Sequence, residues 1–82
     1  MKPELYQEIA LTRDFPQHNL HKGDIATLVD YIPHPQGGEE GCILEVFNAV
    51  GETISVVTVP VSSIETLRPD DVLSIRRLAQ AS

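Results

Sequence analysis

Tryptophan is absent from this chain, and cysteine and methionine occur once each. A lone cysteine, Cys42, excludes an intrachain disulfide. Small secreted domains lean on such staples, so the expected compartment is the cytoplasm. Basic residues are also scarce: 6 against 12 acidic ones, a formal net charge of −6. They are scattered as Lys2, Arg13, Lys22, Arg68, Arg76 and Arg77, and only the last two are adjacent. A nucleic-acid or anionic-membrane partner needs a basic footprint and is disfavoured. No apolar run approaches the roughly 20 residues of a membrane helix. The opening MKPELYQEIA lacks the continuous apolar stretch of a signal peptide.

Catalytic signatures are missing as well. The sequence holds no G-x-x-x-x-G-K-[ST], G-x-S-x-G, C-x-x-C or H-E-x-x-H. Gly37-Gly38 is too isolated for a phosphate cradle. Asp24, Asp30, Glu39, Glu40, Glu45 and Glu52 fall at turn, loop or outward strand positions, where solvated charge is the plain reading. Asp24 and Glu52 are expected to serve turn geometry. Cys42 stands in phase with Leu44 and Val46, as a small core residue would. The expectation is a non-enzymatic protein with no cofactor and no bound metal.

What is present is β-branched. A chain of 82 residues holds one domain, with the core expected over about 8–68 and a tail over 69–82. Glu8 to Arg13 alternates Ile9 and Leu11 against Ala10 and Thr12, the period of a half-buried strand. Asp14 to Lys22 is a polar loop closed by the turn residues Gly23-Asp24. Ile25 to Ile32 is a second strand whose apolar residues occupy both phases, which a bulge would reconcile. PHPQGGEEG, Pro33 to Gly41, is an exposed loop. Cys42 to Phe47 is a third strand with Phe47 expected in the core. Asn48 to Gly51 is a hairpin turn with Gly51 left-handed. Thr53 to Val59 is the strongest strand signal of the chain. Pro60 ends it, Val61 to Ser63 has room for a 3₁₀ turn, and Ile64 to Leu67 closes the set. In the tail, Asp70 can cap a short helix carrying Val72, Ile75 and Ala79; an extra strand over Val72 to Arg76 is the alternative. The fold expected is therefore all-β: a five-stranded SH3-like small barrel, with an open meander as its rival.

Three stretches carry a family resemblance. Ala10-Leu11-Thr12-Arg13-Asp14-Phe15-Pro16 is similar to an opening v-L-T-x-D-x-P. Gly23 to Leu28 resembles G-D-x-G-T-V, with Ala26 and Leu28 as departures. Gly51-Glu52-Thr53 and Val57-Thr58-Val59 are similar to a G-E-T…V-T-L pattern. Together they resemble a family of small prokaryotic SH3-like proteins known as a domain of unknown function, number four-nine-two-six. The resemblance covers roughly Glu8 to Pro69. It implies the barrel and brings no catalytic residues. Some relatives sit beside toxin-like proteins, so the resemblance also allows an antitoxin-like or chaperone-like role.

Two surface features remain. His18 and His21 form H-x-x-H with His34 further on, a spacing that suits zinc on a helix. Here it falls in a proline-bounded loop, and a solvated loop is the simpler reading, with metal binding as the alternative. The aromatic residues Tyr6, Phe15, Tyr31 and Phe47 are too few for a polyproline platform or a methyl-lysine cage. Phe15, His18, His21 and Tyr31 are the candidate partner-binding surface, the rival being that Phe15 caps the barrel end. The function expected is a protein-interaction module or accessory subunit whose partner is another protein.

Overall fold

The computed structural model describes residues 2–34 and 36–77. Its strands are β1 (Glu8–Leu11), β2 (Ile25–Ile32), β3 (Gly41–Phe47), β4 (Thr53–Pro60) and β5 (Ile64–Thr66). They form one antiparallel five-stranded sheet in the order β4-β3-β2-β1-β5. The all-β expectation holds. Closure into a hydrogen-bonded barrel does not: among the described residues no ladder joins β4 to β5.

The alternation of apolar residues explains which face each strand buries. Cys42, Leu44 and Val46 point inward from β3, Val57 and Val59 from β4, and Ile9 and Leu11 from β1. Ala10, expected on the outer phase, is also covered. On β2, Ala26 and Leu28 are buried, and the register then slips between Leu28 and Asp30. Val29 is the extra residue of a bulge. Because strand faces alternate, that single insertion hands the inward phase to odd positions. Tyr31 thereby packs against the core, and the apolar residues in both phases of β2 are accounted for.

A second slip, between Val46 and Phe47, pairs Phe47 with Thr53 and leaves Ile54 extra on β4. Phe47 is 41% exposed, not core. With Cys42, Leu44 and Val46 inward, position 47 has outward parity, and its apolar character does not override the pleat.

The turns follow their residue chemistry. Gly51 sits at φ +85° in the hairpin. The Asn48 side-chain oxygen accepts from the Val50 and Glu52 N–H groups at 3.1 and 2.9 Å, as an Asx residue does at a turn. A 3₁₀ turn spans Val61–Ser63, and the buried Ser63 hydroxyl donates to the Pro60 carbonyl.

The loop between β1 and β2 is more ordered than its polarity suggests. Phe15 and Leu20 form an isolated bridge around a 3₁₀ turn, Pro16–His18, and both side chains join the core. Asn19 is left-handed at φ 56°. The Asp14 carboxylate accepts from the Lys22 N–H at 2.8 Å and closes the loop's base.

The tail forms neither the helix nor the extra strand expected of it. From Leu67 to Arg77 the backbone is turn and coil, and Ala79 lies outside the described residues. A helix this short is marginal without a packed face. Here Val72 and Ile75, its intended apolar stripe, are 90% and 87% exposed.

Candidate interaction surface

Among the described residues, grooves open on two parts of the surface. One, of about 520 Å³, lies between Ile32, His34 and Glu39 on one side and Thr58 to Pro60 on the other. Its polar groups are committed locally. The Glu39 carboxylate accepts from the Ser62 N–H at 2.7 Å, and His34 Nδ1 accepts from the Gln36 N–H at 3.1 Å.

The second groove, of about 700 Å³, is built from five parts of the chain. Leu20 and Asp24 enter from the β1–β2 loop, Ile25 from β2, Val46 and Phe47 from β3, and Ile54 from β4. Residues Val72 to Arg77 of the tail form the remaining wall. The outward parity of Phe47, with Ile54 as the extra residue of the slip, gives this groove its apolar floor.

Asp24 is its charged centre. Arg76 donates to both carboxylate oxygens, Nε at 2.9 Å and Nη2 at 2.5 Å, the paired geometry that guanidinium and carboxylate favour. Arg76 Nη2 also donates to the Asn19 carbonyl at 3.0 Å. The same carboxylate accepts from the His21 N–H at 2.7 Å. Partial burial pushes the Asp24 carboxyl upward, but the hydrogen bonds from Arg76 and His21 with the Arg76 charge outweigh it and hold it below its usual range. Arg76 moves the complementary way, raised by the bond to Asp24. Asp24 serves the turn, as expected, and the tail as well.

The four residues expected to form a partner surface are placed differently from one another. Phe15 is 7% exposed, so its ring belongs to the core. His18 stacks on it at a tilt of 38°, centroids 6.3 Å apart. His21 stands exposed on the loop, its N–H held by Asp24. Tyr31 is engaged by the N-terminal segment: its hydroxyl donates to the Pro3 carbonyl and the Lys2 ammonium lies 4.3 Å from its ring centroid. The structure thus brings Phe15 and His18 together and turns Tyr31 to Lys2 and Pro3. Among the described residues no group of three or more His, Cys, Asp or Glu is placed to hold a metal ion. Cys42 is fully buried, and burial, with Glu40 and Glu39 nearby, pushes its thiol up to about 11.

The five strands run from Glu8 to Thr66, and the family model for Domain of unknown function (DUF4926) matches residues 5–66. The chain belongs to this family. The DUF4926 match ends on the last residue of β5. It therefore includes the groove's floor and Asp24 but not the tail that carries Arg76. No curated protein and no solved structure matches the chain. No helix among the described residues is long and apolar enough to cross a membrane.

Sequence reasoning missed this groove. Asp24 was legible as a turn residue and Arg76 as half of a basic pair, but 52 residues separate them. The one available signal is that an acidic body, residues 1–66, precedes a stretch from Leu67 onward that bears three of the six basic residues.

Proposed function

We propose that this chain is an SH3-like small barrel acting as a non-enzymatic protein-interaction module or accessory subunit in the cytoplasm. The strand order, the long loop after β1 and the single 3₁₀ turn before β5 support the barrel. The observation that carries the function is the groove in which the apolar side chains of Phe47 and Ile54 converge, its one carboxylate, Asp24, being paired with Arg76. Such a surface suits an apolar contact rather than proton transfer or metal chemistry. The partner is another protein. The net charge of −6 argues against nucleic acid and against an anionic membrane.

The test is affinity capture from the native cell using the full chain and its Phe47→Glu, Ile54→Glu variant. Both positions are already exposed, so the variant is expected to keep the fold. A partner held by the native chain and lost by the variant supports the module. Capture of nothing, or of an identical set by the variant, contradicts it.

A further inference from the structure

The tail is held in an uneven way. Its apolar residues Val72, Leu73 and Ile75 are poorly covered, while Arg76 makes three hydrogen bonds to the body. An apolar segment that docked for its own stability would bury its apolar side chains first. This one is fastened by its arginine.

The receiving side is held by contacts of its own that do not involve the tail. Asp24 is positioned by the His21 N–H, and the Asn19 carbonyl is aimed by a left-handed residue that the loop's bridge and 3₁₀ turn hold in place. Both acceptors converge on one guanidinium, beside an apolar floor with room left in it. The arrangement is that of a recognition site for an arginine within an extended apolar segment, the mode in which a charged fork sets register and pockets read the apolar neighbours.

We infer that the groove around Asp24 and Phe47 recognises an extended apolar segment ending in arginine on a partner protein, and that Arg76 of the tail, which walls the groove in the free chain, holds the arginine position as a displaceable stand-in. This rests on the interaction-module reading and adds the chemistry of the partner. The body supplies the complementary charge: residues 1–66 carry 10 carboxylates, Glu4 to Glu65, against Lys2, Arg13 and Lys22. A weakly buried tail suits such a role, because the intramolecular ligand lowers apparent affinity only by the fraction of time it occupies the site.

The test uses the full chain and a fluorescein-labelled peptide with the sequence of Asp71–Arg77, followed by fluorescence anisotropy. The native chain is expected to bind it weakly, since its own tail competes. Arg76→Ala in the protein frees the site and should tighten peptide binding by about tenfold. Adding Asp24→Asn, which keeps an oxygen for the His21 N–H, should abolish that gain. A peptide with alanine in place of its Arg76 equivalent should not bind, and this arm leaves the protein untouched. Absence of binding to the Arg76→Ala chain, or binding indifferent to Asp24 or to the peptide's arginine, overturns the inference. So does a concentration-dependent dimer of the native chain that Arg76→Ala dissolves, for then the occupant is a second copy. Any of these results, with partner capture still sensitive to Phe47 and Ile54, removes the arginine recognition and leaves the interaction module standing.

Discussion

Arg76 grips both carboxylate oxygens of Asp24 across a sequence separation of 52 residues, and this pair, with the Asn19 carbonyl, fastens the tail to the β1–β2 loop. The Asp24 side chain is 19% exposed and that of Arg76 31%, so solvent screens the pair only in part.

That pair sets a pH dependence. The carboxyl of Asp24 is lowered in the folded protein, with Arg76 and His21 the charged groups facing it. A lowered value means the folded state favours the charged form. The contribution is fully present above the unfolded value of about 4 and is lost as pH falls through the folded one. The Arg76 Nε–H resonance should keep its hydrogen-bonded shift at neutral pH and move to the free position below about pH 4. An unchanged shift throughout acid titration would contradict the contact.

Phe15 belongs to the core, so Phe15→Ala should destabilise the fold by about 3–5 kcal/mol rather than weaken a surface contact. In a small domain with stability of order 5–15 kcal/mol that is a large share. Urea unfolding followed by circular dichroism measures it. A change below about 1 kcal/mol would place the ring outside the core.

Gly51 has open space where a Cβ would stand, but its φ of +85° resists side chains. Gly51→Val should cost on the order of 1 kcal/mol or more, since a β-branched residue avoids that region. Gly51→Asn should cost less, because asparagine tolerates it. Equal costs in thermal unfolding would point to a steric rather than a conformational origin.

Cys42 should react with a thiol reagent only through opening of the sheet. Its side chain is fully covered and its thiol is pushed up to about 11, so thiolate is rare at pH 8. The labelling rate should rise with urea in parallel with unfolding. Fast labelling of the native chain would mean that β3 and β4 part easily.

Much of the sheet was legible because period-2 alternation and β-branched runs are local signals. The bulge at Val29 could be read because β2 carries apolar residues in both phases, which one inserted residue reconciles. Phe47 was misread because its apolar character was weighed above its parity with Cys42, Leu44 and Val46. Phe15 and Leu20 left no periodic trace, since their pairing depends on a loop folding back on itself. The tail's helical spacing was real in sequence, but nothing packs on that face, and Arg76 is drawn instead to Asp24. Contacts between distant segments are set by the assembled surface, and the groove is made of those.

The most direct measurement is a comparison of ¹H–¹⁵N spectra of the full chain and its Arg76→Ala variant. If tail and groove form one unit, amide shifts should change at Leu20, Asp24, Ile25, Phe47 and Ile54, all lining the groove, while the buried centre of β1 stays still. Changes confined to the residues beside position 76 would mean the tail does not lie on the groove, and would contradict the account.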